Sequence, residues 1–285
     1  MVAGKKDGLE PVVLITGAGS GLGAAMARRY AHAGFRVAVT DINSERARQV
    51  SDAISAAGSS SLHATLDITR DEDWQRVGEL VETQWGRVSV IINNAGVAAS
   101  GLCEETSLDD WQWIIDIDLM GVVRGCHRFL PGLRQEGAAG RMAHIINIAS
   151  FAGFTAMPGM SAYGTAKAAV IALSEHLHTE LDGSGVGVSV VCPSFVATNL
   201  LESFRSTEDR TRKTVERWMQ HSPVSADDVA ERVFKAMQKK QFLVLTHKKT
   251  IWPWRLKRFW PSRYYRGISN FYQRSRTKKP GSNAK

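Results

Sequence analysis

The run Thr16-Gly17-Ala18-Gly19-Ser20-Gly21-Leu22-Gly23 sets four glycines within eight residues, directly after an apolar segment. A pyrophosphate needs backbone N–H groups at close approach. Glycines remove the side chains that would block it, and a helix starting there adds the positive end of its dipole. Eighteen residues beyond Gly23 stands Asp41. A carboxylate there can accept hydrogen bonds from both hydroxyls of an adenosine ribose and repels a 2′-phosphate, so NAD is favoured over NADP. Read alone, Asp41 is equally at home as a turn or N-cap residue, and Arg46 a turn later could swing toward a phosphate. Further along, Tyr163 and Lys167 stand four residues apart in a stretch of helical periodicity. That spacing puts them on one face. A phenol with a pKa near 10 is a poor base at neutral pH, and a neighbouring ammonium favours the phenolate. Taken singly, Tyr163 also reads as a half-buried helix residue, Lys167 as a solvated side chain and Ser150 as a strand-end cap.

The elements that must position these groups alternate. PVVLITG, FRVAVTD, SLHATLD, VSVIINNAG, AHIINIAS and VGVSVVCP are short apolar runs, and between them lie helical patterns. These follow the glycine turn as far as Gly34, cover 44 to Gly58 and Asp71 to Trp85, and then run from about Ser107 to Leu130 and from Ser161 to Leu181. Near-continuous apolar strands alternating with helices predict an α/β fold: a doubly wound, Rossmann-type parallel sheet with helices on both faces. After Pro193 the rhythm changes. Residues Thr198 to His221 are polar and helical in flavour, DDVAERVFKAMQKK is an amphipathic helix capped by Ser225, and QFLVLTH is a last strand.

In this order the motifs resemble those of short-chain dehydrogenases/reductases. Thr16–Gly23 is similar to that family's TGxxxGxG, Asn93-Asn94-Ala95-Gly96 to its NNAG and Tyr163-Gly164-Thr165-Ala166-Lys167 to its YxxxK, with Ser150 thirteen residues before the tyrosine. The similarity covers about residues 11 to 246. It implies an NAD-dependent oxidoreductase acting by hydride transfer, with Tyr163 as acid/base, Lys167 lowering its pKa and Ser150 orienting the substrate oxygen. It further implies that Asp67 and Ile68 flank the adenine. Asn93, Ala95 and Gly96 line the ribose side and brace the sheet, while Pro193, Val196 and Thr198 hold the nicotinamide end. Two departures stand out. Ser194 takes the place of a glycine after the proline, and Asp118 takes the place of an asparagine that helps bind a water linking the lysine to solvent. The aspartate adds a negative charge near Lys167 and is expected to keep it more firmly protonated.

Bulky apolar residues, among them Phe154 and Phe195, accompany Ser150, Tyr163 and Ser194 in the segments that would wall a substrate. An apolar secondary alcohol or its ketone is the expected ligand; core or subunit packing is the alternative for each residue. The chain divides into residues 1–246, a Rossmann-type domain with a substrate-binding segment at about 194–225, and a basic, aromatic extension over 247–285. Of 36 Lys/Arg, 12 lie after His247 with no acid among them, so residues 1–246 set 24 against 28 acids and carry −4. Pro253 and Pro261 are expected to limit continuous helix in the extension to about two turns or to the part after Pro261. Three readings of it stay open: packing on its own body or a neighbouring subunit, contact with an anionic membrane surface, and, least expected, nucleic acid. Cys103, Cys126 and Cys192 fit reduced thiols and no metal pattern. Lys5 and Lys6 precede no apolar run, so a cytoplasmic protein is expected, a homodimer or homotetramer, peripheral to a membrane at most. An NADP-dependent carbonyl reductase, and a nucleotide-sensing binding protein acting through its basic tail, are the competing functions.

Overall fold

The computed structural model describes residues 10–206 and 209–277; Lys5, Lys6, Lys278, Lys279 and Lys285 lie outside them. The strands are β1 (Val12–Thr16), β2 (Arg36–Asp41), β3 (Ser61–Thr65), β4 (Val90–Asn93), a two-residue β5 (Ala99–Ser100), β6 (His144–Ile148), β7 (Gly187–Cys192), a two-residue β8 (Arg205–Ser206) and β9 (Leu243–Leu245). The helices are α1 (Gly21–His32), α2 (Ser44–Ala56), α3 (Asp71–Trp85), α4 (Leu108–Ile114), α5 (Gly121–Ala138), the single turn α6 (Ala152–Thr155), α7 (Ser161–Glu180), α8 (Asp209–Gln220), α9 (Ala226–Gln238), α10 (Lys248–Phe259) and α11 (Pro261–Thr277).

Seven strands form one sheet in the order β3-β2-β1-β4-β6-β7-β9, with every pairing parallel. β1, β4, β6 and β7 are buried along their whole length, which is why they read as unbroken apolar runs. One face packs on α1 and α9 through Tyr30, Phe35 and Phe234; the other packs on α3, α5 and α7 through Trp74, Phe129 and Leu133. The chain leaves β1 toward β2 on one side and later returns to β4 on the other. In a doubly wound sheet this reversal opens a crevice at the carboxyl ends of those strands, and the glycine turn after β1 lies there.

Local signals act where they stand. α3 opens on Asp71, Glu72 and Asp73 and stops at Gly86 with φ 83°, a left-handed position that suits glycine. α9 carries a reciprocal capping box between Ser225 and Asp228.

Two helix expectations need correcting. The helix expected to end at Leu130 continues to Ala138 with Pro131 inside it. His127, whose carbonyl loses its amide partner, and Pro131 are both exposed, so water can satisfy the carbonyl while buried Leu133 keeps the following turn on the core. Pro253 likewise sits inside α10, which runs twelve residues rather than two turns; the carbonyl it frees belongs to exposed Lys249. A six-residue π segment, Ile115–Met120, joins α4 to α5. The β5–β8 pair ties the loop after β4 to the segment after β7.

Candidate active site

The glycine turn is held from below. Thr16 is buried, and its Oγ1 accepts from the backbone N–H groups of Asn94 and Ala95, each at 2.9 Å. The Asn94 side chain donates to the carbonyls of Thr16 at 2.8 Å and Gly17 at 3.2 Å. A Cβ on Gly17, where φ is 62°, would stand 2.8 Å from the Ala95 Cα, and one on Gly23 would stand 2.1 Å from the Gly17 carbonyl oxygen. These two glycines let the turn close on itself and on the loop after β4.

The first turn of α1 has neither a side-chain cap at Ser20 nor an acidic residue, whereas α2, α4 and α9 are capped by Asn43, Ser107 and Ser225. An uncapped helix start behind a glycine turn, at the sheet's reversal, has the donor set a pyrophosphate requires. Leu22 packs into the core under it. Asp41, ending β2, reaches back to the turn: Oδ2 accepts from Gly19 N–H and Oδ1 from Asn43 N–H, both at 2.9 Å. Asn43, not Asp41, caps α2. Arg46 pairs with Glu202 at 2.7 Å. Glu202 belongs to the 3-10 turn Asn199–Ser203, and Thr198, which starts that turn, lies where a Cβ on Gly21 would meet its own Cβ at 3.1 Å. The segment after β7 thus arches over the glycine turn.

Of the two residues expected to flank an adenine, Asp67 has its Oδ1 accepting from Thr69 N–H and Oγ1, and Ile68 is buried, its carbonyl taking the Trp74 indole N–H at 3.0 Å. The Asn93 side chain points into the sheet and donates to Asn147 Oδ1 at 2.8 Å. Of the two parts expected of it, bracing is the one its contacts express.

The second cluster surrounds Tyr163. Lys167 Nζ lies 5.8 Å from the centroid of the Tyr163 ring, 3.4 Å from the Ile148 carbonyl oxygen and 3.3 Å from Asp118 Oδ2. Asp118 comes from the π segment, whose widened turn aims it inward, and its Oδ1 accepts from Val97 N–H at 2.8 Å. A Cβ on Gly96 would meet Asp118 Oδ1 at 2.9 Å and Lys167 Nζ at 3.2 Å, so only glycine leaves this pair its room. Burial pushes the Tyr163 phenol upward; Lys167 pulls it down, Asp118 pushes it up, and a hydrogen bond from Ser150 pulls it down, leaving it above the ordinary tyrosine value. Burial works against the Lys167 ammonium, but Asp118 and then Tyr163 outweigh it and make the ammonium harder to deprotonate. The expected pull of Lys167 on the phenol is present, opposed by burial.

The segments expected to wall a substrate are braced from the C-terminal extension. Phe151 N–H donates to the Pro193 carbonyl at 2.8 Å. Lys257 Nζ donates to the Phe154 carbonyl at 2.7 Å and Tyr264 Oη to the Thr155 carbonyl at 2.8 Å. Ser194 N–H donates to His247 Nδ1 at 3.3 Å, and His247 Nε2 lies 3.2 Å from the Phe195 carbonyl oxygen. A neutral ring with its proton on Nε2 satisfies both contacts, and burial lowers its pKa. Phe195 packs against Trp218 at 5.1 Å, and Val196 is buried in the core. Asn94, His247, Lys257 and Tyr264 escaped the sequence reading. The signals for them were the second Asn of NNAG and the position of His247 at the end of the QFLVLTH run. Among the described residues no group of His, Cys, Asp and Glu could hold a metal ion, and no helix is long and apolar enough to cross a membrane.

The model of the family described as "short chain dehydrogenase" matches residues 11–209. Sulfoacetaldehyde reductase 2 of Chromohalobacter salexigens is 34% identical over 228 residues, which are 79% of this chain and 88% of that protein. The "Probable oxidoreductase EphD" of Mycobacterium tuberculosis is 29% identical over 240 residues; the match takes in 81% of this chain but spans only 40% of that relative's length. The crystal structure of a short-chain dehydrogenase/reductase from Burkholderia phymatum in complex with NAD superposes with a TM-score of 0.82 at 32% identity, covering 88% of this chain and 93% of that one.

Proposed function

The chain belongs to the short-chain dehydrogenase family, and we propose that it interconverts an apolar secondary alcohol and its ketone with NAD, using Tyr163 as acid and base. The observation that carries this reading is the cluster in which buried Lys167 sets its Nζ 5.8 Å from the Tyr163 ring centroid and 3.3 Å from Asp118 Oδ2, with half-buried Ser150 just past the end of β6. When bound, the nicotinamide supplies the hydride acceptor or donor. Ser150 donates a hydrogen bond to the substrate oxygen and holds it beside Tyr163. Tyr163 takes the hydroxyl proton in oxidation and returns it in reduction. Lys167 favours the phenolate against the burial that opposes it, and Asp118 keeps Lys167 protonated.

The residues present fit the cofactor. Gly17, Gly19, Ser20, Gly21, Leu22 and Gly23 with the uncapped start of α1 would hold the pyrophosphate, and Thr16 and Asn94 keep that turn in shape. Asp67 and Ile68 would flank the adenine, Ala95 and Gly96 the ribose side, and Pro193, Val196 and Thr198 the nicotinamide end. NAD over NADP rests on Asp41, whose carboxylate sits at the glycine turn, and on Arg46, which Glu202 holds. The NAD complex of the Burkholderia protein agrees with that preference. NADP is the second reading, favoured only by the proximity of Arg46 to the same turn. Phe154, Ser194 and Phe195 would line the substrate. A homodimer or homotetramer would join through the long helices α4–α5 and α7, where Thr165 and Ala172 expose a small outer face on α7.

An absorbance screen at the nicotinamide band over a panel of alcohols and ketones, with both cofactors, tests the proposal. Turnover with NAD that Tyr163→Phe lowers by about 10²–10⁴-fold is the expected result. Tight NAD binding without turnover across the panel would favour nucleotide sensing.

A further inference from the structure

α10 has two opposite faces. At about 100° per residue, Thr250, Trp254 and Lys257 share the side toward the body, where Thr250 is buried and Lys257 holds the Phe154 carbonyl. Trp252, Leu256 and Phe259 share the other side. There Trp252 is 66% and Phe259 64% exposed, and Trp260, just past the helix end, is 56% exposed. Exposed Lys248, Lys249 and Arg255 flank this apolar stripe within a turn of it, and α11 continues with exposed Arg263, Tyr265, Arg266 and Phe271. Contiguous exposed aromatics of this kind mark a surface with a partner.

We propose that the outer face of α10 and α11 docks on an anionic phospholipid surface. Charge selects this occupant. The extension from 247 to 285 carries 12 cations and no acid, so a second copy of the same face would be repelled. Negatively charged headgroups attract each Lys and Arg, while Trp, Phe and Leu sink to the level between headgroups and acyl chains. Long basic side chains beside the stripe can bury their methylenes and keep their charges at the headgroups. Duplex DNA would use the cations but, with its bases already stacked on one another, leaves the Trp252–Leu256–Phe259 stripe without a role. Docking would set the membrane against the same elements that brace α6, since Lys257 and Tyr264 hold the Phe154 and Thr155 carbonyls. An apolar ligand partitioned into the bilayer would then be concentrated near that wall.

The full chain is tested by co-sedimentation with phosphatidylcholine vesicles, with and without phosphatidylglycerol. Binding should require phosphatidylglycerol, weaken as salt is raised, and fall by about tenfold or more in Trp252→Ser/Phe259→Ser. Lys248→Glu/Lys249→Glu/Arg255→Glu, which leaves the aromatics in place, should lose as much, so that a folding defect in one variant does not decide the matter. Tryptophan quenching by brominated-chain lipid should drop in Trp252→Phe. Tyr163→Phe should bind vesicles as the parent does, because this surface does not depend on the catalytic reading. No binding to anionic vesicles, or binding untouched by both multiple variants, overturns the proposal. So does a drop in oligomer mass in those variants without loss of vesicle binding, which would assign the face to a second copy. Retention on duplex DNA by a protein that ignores vesicles would assign it to nucleic acid.

Discussion

The Asp118 carboxylate lies 3.3 Å from the Lys167 ammonium, the two side chains 0% and 5% exposed. Its charge raises both Lys167 and the Tyr163 phenol. Asp118→Asn keeps an acceptor for Val97 N–H and removes the charge. A group that disfavours the phenolate is then gone, so the Tyr163 pKa should fall. In the oxidation direction the base must be deprotonated, and the acidic limb of kcat/KM against pH should move to lower pH. An unmoved limb would show that this charge does not reach the proton transfer; a limb displaced upward would reverse the assignment.

Tyr163→Phe should cost about 10²–10⁴-fold in turnover, the range for a positioned acid/base, while stabilisation of the fold by NAD persists. Lys167→Met is a harsher test. It leaves Asp118 buried without its cation, and breaking a buried pair from one side costs about 3–5 kcal/mol. The double variant Lys167→Met/Asp118→Asn should recover most of the lost stability in urea titration and none of the activity. If activity returned with stability, Lys167 would be a structural partner only.

On the proposed reading, cofactor choice would turn on Asp41 and on the hold of Glu202 on Arg46 at 2.7 Å. Asp41→Ala removes the carboxylate that repels a 2′-phosphate, and Glu202→Gln loosens the guanidinium that could meet one. Together they should raise the melting temperature in NADP relative to NAD, with Asp41→Ala alone doing so less. A larger response to NAD in the double variant than in the parent would contradict the placement of the ribose at Asp41.

These groups were not equally legible in the sequence. The glycine turn, Asp41 and the Tyr163–Lys167 pair were, because each depends on short-range geometry: a turn without side chains, a strand end, one helical repeat. Strands β1, β4, β6 and β7 were legible because burial on both faces leaves no polar alternation to misread, whereas the two-residue β5 and β8 are too short to leave a pattern. Pro253 misled, and the helix expected to stop at Leu130 runs on through Pro131, because the cost of a proline in a helix depends on whether the carbonyl it frees faces water, which requires the tertiary fold. Asp118 could be placed by comparison with its family, but the π segment that turns it toward Lys167, and the need for Gly96 above the pair, could not. Asn94 and His247 work across 77 or 78 and 52 or 53 residues of chain, and no local pattern carries such contacts.

The extension is joined to the body by Tyr264, 6% exposed, whose hydroxyl donates to the Thr155 carbonyl at 2.8 Å. Tyr264→Phe leaves that carbonyl without its donor and should cost about 1 kcal/mol, a drop of roughly 2–4 °C in melting temperature for a chain of this size. Because Thr155 ends the turn that carries Phe154, KM for the substrate should rise while kcat stays near its parent value. A fall in kcat with KM unchanged would place the contact's influence on the chemistry instead of the wall.

Stability in mild acid should depend on His144. The ring opens β6, and its Nε2 lies 2.9 Å from Ser189 Oγ, which itself donates to the Gln241 carbonyl at 2.7 Å. The hydroxyl proton is thus committed, and the ring is neutral with its own proton on Nε2. A Cβ on Gly187 would stand 2.2 Å from His144 Nδ1, so the site has no room for a solvated cation. Burial, helped by the charge of Lys240, lowers the ring's pKa to about 3. An unfolded chain has this group near 6.5. Between those values the unfolded state binds a proton that the folded state refuses, so stability is lost as pH falls from about 6.5 toward about 3, at up to about 1.4 kcal/mol per unit. At pH 4.5 the loss from this residue alone should be about 2–3 kcal/mol. His144→Gln offers Ser189 an amide donor that does not titrate. Subtracting its urea-derived stability from the parent's at each pH cancels the shared carboxylates, and the difference should slope between pH 6.5 and 4.5. Parallel curves for the two proteins would mean that His144 accepts its proton in the folded state.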